Sequence, residues 1–164
     1  MATTRSSRAP SAAAIVPTMT DNSSAKLIPC LRYDDAPAAI AFLCRAFGFK
    51  QHAVYADPTN PAIIHHAQLV LGDAMVMLSS AIPGESRDRY RWRTPREAGG
   101  ITMCVCAVIS DVDAHFQRAK AAGAEVVSEP HDNEGYPGRS YNVRDPEGND
   151  WDFGTYNPWD VSHA

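Results

Sequence analysis

No apolar run in the chain approaches the ~18 residues of a membrane-spanning helix, so a spanning segment is not expected. Nor is there an excess of positive charge. Fifteen Lys and Arg stand against 19 Asp and Glu, and a net charge of -4 leaves no electrostatic footprint for nucleic acid or an anionic membrane surface. The Gly-x-Ser-x-Gly, Walker, His-Glu-x-x-His and dinucleotide fingerprints are missing, which removes the commonest local signatures of hydrolases, nucleotide enzymes and zinc proteases. Cysteine is sparse and unpatterned: Cys30, Cys44, Cys104 and Cys106 show neither Cys-x-x-Cys nor zinc-finger spacing. They read as small hydrophobes in a reducing, cytoplasmic setting, with Cys104 and Cys106 on one face of a strand.

What remains is enough chain for one domain with a core of its own: 164 residues, of which 45% are apolar and 21% charged. Residues 1–25 are rich in Ser, Thr and Ala, have no amphipathic period, and read as a flexible N-terminal tail. The domain is expected over 26–159.

Within it one pattern occurs twice. The strand "KLIPCLRYDD" leads into the helix "APAAIAFLCRAFG", where Ala36, Ala39, Ile40, Leu43 and Phe47 recur at helical spacing. Asp35 is placed to cap that helix, Pro37 sits in its first turn and Gly48 can end it. Strands follow at "KQHAVYA", "IHHAQLVLG" and "AMVMLSSA", the last two joined through Gly72-Asp73. The second half repeats the order. "ITMCVCAVI" precedes the helix "VDAHFQRAKAAG", capped by Ser110 or Asp111, striped by Val112, Phe116 and Ala119, and closed by Gly123; "EVVSEP", "GRSYNVRD" and "DWDFGTY" follow. From capping aspartate to closing glycine is 13 residues in the first half (35 to 48) and 12 in the second (111 to 123).

The expected fold class is therefore α+β: two βαβββ modules, about 26–81 and 100–159, forming paired curved mixed sheets around a central cleft with helices on the outer faces. A small ligand would most naturally bind in that cleft. Between the modules, the connector 82–99 carries five arginines and the aromatics Tyr90 and Trp92 without a helical or strand period. It reads as a solvated connector or a lid over the cleft.

The repeat, together with "HAQLVLGDAMVML" and "GRSYNVRDPEGNDWDFGTY", resembles the vicinal oxygen chelate superfamily of glyoxalases, bleomycin-resistance proteins and extradiol dioxygenases, with the nearest look to its glyoxalase-like or PhnB-like branch. In metal-dependent members the resemblance implies four ligands facing the cleft, two His or Gln on the first strand of each half and two Glu on the last. The corresponding positions here are Ile28, Ile101, Val76 or Met77, and Asp152. One carboxylate cannot complete the usual shell of zinc or nickel, so no metal cofactor is expected; a divergent site would have to use His66 and Asp152.

Strand alternation supplies the remaining candidates. If Ala67, Leu69 and Leu71 pack toward the helix, His66 and Gln68 face the cleft, as do Cys30 and Arg32, while Met103 and Val105 line it from the second half. Trp151 and Phe153 then belong to the helix-side core. Arg32 with Asp152 reads either as a salt bridge or as a pair of ligand anchors. Arg144 is expected to hold the Asp145 turn. Arg139, after the loop "GYPG", is placed to clamp an anion or a ring, and Trp92, as an aromatic of the candidate lid, is a further ligand contact. His52, His115, His131 and His163 read as surface residues. The ligand-binding set is thus Arg32, His66, Gln68, Trp92, Met103, Arg139 and Asp152. The expected function is metal-independent binding of a hydrophobic or aromatic small molecule by a cytoplasmic homodimer, with a divergent metal-dependent lyase or dioxygenase as the alternative.

Overall fold

The computed structural model describes residues 26–160, with the backbone alone for 85 and 86; the N-terminal tail and His163 lie outside the described residues. The chain runs β1 (Cys30–Tyr33), α1 (Ala36–Phe47), β2 (Lys50–Ala56), β3 (Ile64–Leu71), β4 (Ala74–Ser80), α2 (Glu85–Tyr90), α3 (Pro95–Ala98), β5 (Cys104–Val108), α4 (Val112–Ala121), β6 (Glu125–Asp132), β7 (Arg139–Arg144) and β8 (Asp150–Gly154). Two four-stranded mixed sheets result, ordered β1-β4-β3-β2 and β5-β8-β7-β6. In each, the strand before the helix runs parallel to the last strand of its half, and the other pairings are antiparallel. This is the expected βαβββ unit, twice, without closure into a barrel.

The helices form where their caps allow. Asp35 accepts from the Ala38 amide at 3.0 Å, and Gly48 at φ 80° ends α1 in the left-handed conformation that glycine tolerates. Of the two possible caps for α4, Asp111 performs the role, accepting from the Ala114 amide at 2.9 Å.

Both helices cover the same kind of sheet face. Leu31, Tyr33, Ala67, Leu69, Val76 and Leu78 are buried under α1, and Val105, Tyr141, Val143, Trp151 and Phe153 form the matching face of the second sheet. The halves share one core. Phe47, at the end of α1, packs on Phe153 at 4.9 Å and Trp151 at 5.3 Å, both from β8. His115 is buried between the halves, correcting the expectation of a surface residue: its Nε2–H donates to the Phe47 carbonyl at 3.0 Å, and its Nδ1 accepts from the Tyr141 hydroxyl. The cost of burying an imidazole is met here by satisfying both ring nitrogens.

The turn "DPEG" is a second joint. Asp145 is 3% exposed and fully used. It accepts from the Tyr33 hydroxyl at 2.7 Å, the Glu147 and Asn149 amides at 3.0 Å each, and the Trp151 indole at 3.2 Å. Glu147 reaches back to the first half and accepts from the Asp34 and Asp35 amides at 2.6 and 2.7 Å. Arg144, expected at this turn, is instead paired with Glu125 at 2.9 Å and near Asp150 at 3.6 Å, because it points to the opposite sheet face.

The connector departs from expectation too. It folds into α2 and α3, the latter opened by a capping box in which Thr94 and Glu97 bond each other's backbone. Thr94 is fully buried, so this end of the connector is anchored.

Candidate functional site

The sheet faces turned away from the helices carry the sulfur-bearing and polar residues. On the first sheet, Cys30 and Arg32 stand opposite Met77 and Ser79 of β4, with Gln68 of β3 beyond Met77. On the second, Cys104 and Cys106 stand opposite Asp150 and Asp152. Val105 points the other way, into the core, which corrects its expected place on the open sheet face; it borders only the cavity at the seam between the halves. Alternation counted from Met103 misplaces it, because Met103 lies in the loop before β5 rather than in the strand.

Each capping aspartate fixes an equivalent position in its half. Cys30 and Cys106 both lie five residues before Asp35 and Asp111, and face Met77 and Asp152. The four equivalent open-face residues are therefore Cys30, Met77, Cys106 and Asp152. Ile28 and Ile101, aligned to the first-strand ligands from sequence, both precede their strands. Two thiols, a thioether and one carboxylate do not match the His and Glu donors that the resemblance implies for a catalytic divalent ion. Among the described residues, no group of three or more His, Cys, Asp or Glu is placed to hold a metal. Burial pushes the Cys104 thiol up to about 12, reinforced by Cys106 and by the charge of Asp150. Burial also raises Cys106, helped by Asp152. Both are thiols, not thiolates, at neutral pH.

Of the predicted site residues, the fold brings Arg32 and Trp92 together. The Arg32 guanidinium lies 3.7 Å over the Trp92 ring, and Tyr90 stacks on the same indole at 4.8 Å. Trp92 thus folds the connector back onto the open face of the first sheet. The expected Arg32–Asp152 salt bridge is not among the ion pairs of the described residues. Asp152 accepts from Asn142 at 3.3 Å instead. His66 and Gln68 are 3.2 Å apart, with His66 stacked on Tyr55 at 6.0 Å, and no hydrogen bond or ion pair joins His66 to Asp152. Met103 is 51% exposed at the seam between the halves. Arg139 is committed elsewhere: it shares the helix-side parity of Tyr141 and Val143, and binds Asp113 of α4 at 3.0 and 3.1 Å and Asp132 at 3.2 Å.

Arg32 and Trp92 wall a cavity of about 290 Å³ at the end of the first sheet, together with Ile64, His65, Ser79 and Arg87. A second cavity, about 180 Å³, lies at the seam between β1 and β5, lined by Leu31, Thr94, Met103 and Asp150; Trp92 is a wall of both. Sequence reasoning misses His65, Ser79 and Arg87. Alternation counted from His66 would put His65 on the helix side, but it fails at a bulge, where the β2–β3 register passes from Tyr55–His66 to Ala56–Ile64 and skips His65. His65 emerges exposed and bonds Asp57 at 3.1 Å. No local signal in the sequence marks that skip.

A family model for the glyoxalase/bleomycin resistance protein/dioxygenase superfamily matches residues 25–153. The uncharacterized protein Rv0887c of Mycobacterium tuberculosis is 36% identical over 138 residues, covering 84% of this chain and 78% of that protein. Among solved structures, TioX from Micromonospora sp. ML1 is 30% identical with a TM-score of 0.63, over 81% of this chain and 99% of TioX. The fosfomycin resistance protein FosX from Listeria monocytogenes, at 14% identity, shares the fold with a TM-score of 0.57 over 83% of this chain and 96% of FosX.

Proposed function

The chain belongs to the glyoxalase/bleomycin resistance protein/dioxygenase superfamily, and we propose that it is a small-molecule-binding member that holds a hydrophobic or aromatic ligand without a catalytic metal. The observation that carries this reading is the cavity of about 290 Å³ beneath the connector, with Arg32 pre-oriented on Trp92 and apolar wall from Ile64, Ala81 and Ile82. Its volume is near the lower end of the range for small-molecule sites, and its mix of apolar wall and few polar groups is typical of them. The donor set of Cys30, Met77, Cys106 and Asp152 supports binding over metal-assisted chemistry. FosX, a structural relative named for resistance to an antibiotic, lends its fold and nothing further.

We also propose a cytoplasmic homodimer. Tyr55, Met103 and Val108 are exposed on or beside the open sheet faces, uncovered among the described residues, and a second copy would bury them. Among the described residues, no helix is long and apolar enough to cross a membrane.

The test has two arms. Protein purified without chelator is assayed for bound metal and titrated with zinc, nickel, manganese and iron; stoichiometric metal that disappears in Asp152→Ala sinks the metal-free reading. A thermal-shift screen against a broad library of aromatic and heteroaromatic compounds is expected to give hits that Trp92→Ala weakens. A flat response across that library rejects the small-molecule reading.

A further inference from the structure

Among the described residues, two guanidinium groups and no carboxylate stand in the wall of the cavity beneath the connector. Arg87 is paired with Glu97. Arg32 forms no ion pair among the described residues, and its protein hydrogen bond runs from Nη1 to the Leu31 carbonyl at 3.0 Å. A guanidinium carries five N–H donors, so most of its donor edge is uncommitted. Arg32 is also half-buried, and burial works against its charge. Leaving a partly desolvated cation without a counter-charge is costly, and a bound anion would remove that cost.

The geometry around Arg32 favours one class of anion. One face of the guanidinium is held against Trp92, itself backed by Tyr90, so the stack fixes the fork before any ligand arrives. A planar carboxylate matches that fork through two parallel N–H···O bonds. One uncommitted cation balances a single negative charge, which argues for a monoanion over a phosphate dianion. Ile64 and Ile82 complete the wall with apolar surface, and the Ser79 residue at the same wall adds a hydroxyl.

We propose that this cavity is an organic-acid site, in which Arg32 pairs with the carboxylate of a small monoanion whose aromatic body lies against Ile64, Ile82 and the edge of Trp92. This rests on the small-molecule reading above and names its ligand class.

The experiment uses the full chain and two matched probes, 2-naphthoate and its neutral isostere 2-naphthamide, titrated calorimetrically at low ionic strength. Naphthoate is expected to bind at least about tenfold tighter than the amide, the ratio falling as salt is added. In Arg32→Gln the two probes should bind alike, while Arg32→Lys should keep part of the preference. Arginine side-chain NMR of the unmutated protein gives a check that no folding defect can confuse: naphthoate, and not naphthamide, should shift one arginine Nε–H signal, which Arg32→Lys removes. Equal affinity for acid and amide, or a preference that survives Arg32→Gln, overturns the organic-acid assignment and leaves the small-molecule reading standing. Binding of neither probe at millimolar concentration also overturns it, and the library screen then decides the broader reading separately.

Discussion

The hydroxyl of Tyr33 donates to the carboxylate of Asp145 at 2.7 Å, across 112 residues of sequence, inside a region that is closed to water on both sides of the bond. Tyr33 ends β1 of the first half and Asp145 opens the turn between β7 and β8 of the second. Removing the hydroxyl leaves Asp145 its other donors, so Tyr33→Phe should cost about 1.5–3 kcal/mol, the range for a hydrogen bond to a charged group. Asp145→Ala strands the Tyr33 hydroxyl, the Trp151 indole and two backbone amides at once, and should cost more than Tyr33→Phe. Urea unfolding of both variants measures the order, and an equal cost would contradict it.

Glu147 makes the complementary contact. Its carboxylate caps the amides of Asp34 and Asp35 just ahead of α1, where the helix dipole favours negative charge. Glu147→Ala should lower stability by about 1–2 kcal/mol and speed hydrogen exchange at those two amides, while leaving exchange in β6 unchanged. Uniform acceleration throughout the chain would mean that the contact is not local to the start of α1.

His115 gives the fold a pH dependence with a definite sign. Its pKa is lowered from 6.5, first by burial and then by the nearby Arg118 charge, against a raising effect from the bond to Phe47. The unfolded chain therefore takes up a proton near pH 6.5 that the folded chain resists. Stability from this residue is fully present above that pH and declines as pH falls below it. Denaturant midpoints should drop between pH 7.5 and pH 5, and the drop should be smaller in His115→Gln. Every tenfold by which folding weakens proton binding corresponds to about 1.4 kcal/mol. A variant with an unchanged pH slope would contradict the assignment.

These joints bear on what is legible in the sequence. Periodicity and caps place both long helices and all eight strands, because Asp35, Asp111, Gly48 and the apolar stripes act locally. The side of each strand is legible wherever alternation is unbroken, as for Trp151 and Phe153. It fails where geometry is decided at a distance. The bulge beside Ala56 shifts the register and moves His65 to a face that alternation does not assign, and the side of Val105 is misread because Met103, from which it is counted, lies before the strand. Arg139 stands out because it follows a glycine-rich loop, yet Asp113 of α4, 26 residues away, claims it. Trp92 lies in a connector whose helices span only six and four residues, too short for a period to register, so its docking on Arg32 emerges only in three dimensions.

Phe47 tests whether the two halves are one folding unit. Its ring packs on Trp151 and Phe153 of the other half as well as on Phe42 of its own helix. Phe47→Ala should cost about 3–5 kcal/mol, with a single cooperative transition retained. Two separated transitions, one per half, would show that the shared core does not couple them.

Cys104 and Cys106 look reactive from their partial exposure, and the electrostatics say otherwise. Two thiols on one strand face sit opposite two carboxylates, so each thiolate would form beside negative charge. With Cys104 pushed up to about 12, its thiolate at pH 8 is much scarcer than that of an ordinary cysteine; the higher intrinsic nucleophilicity of a basic thiolate recovers part of this, leaving alkylation slower by roughly tenfold or more. Iodoacetamide labelling of the folded protein, read by mass spectrometry against the same peptide in urea, should show that protection. Because burial is the first cause and Asp150 only a contributor, Asp150→Asn should recover a small part of the rate and unfolding nearly all of it. Rapid labelling of native Cys104 would mean that the open face of the second sheet is more solvated, and less suited to an apolar ligand, than its geometry implies.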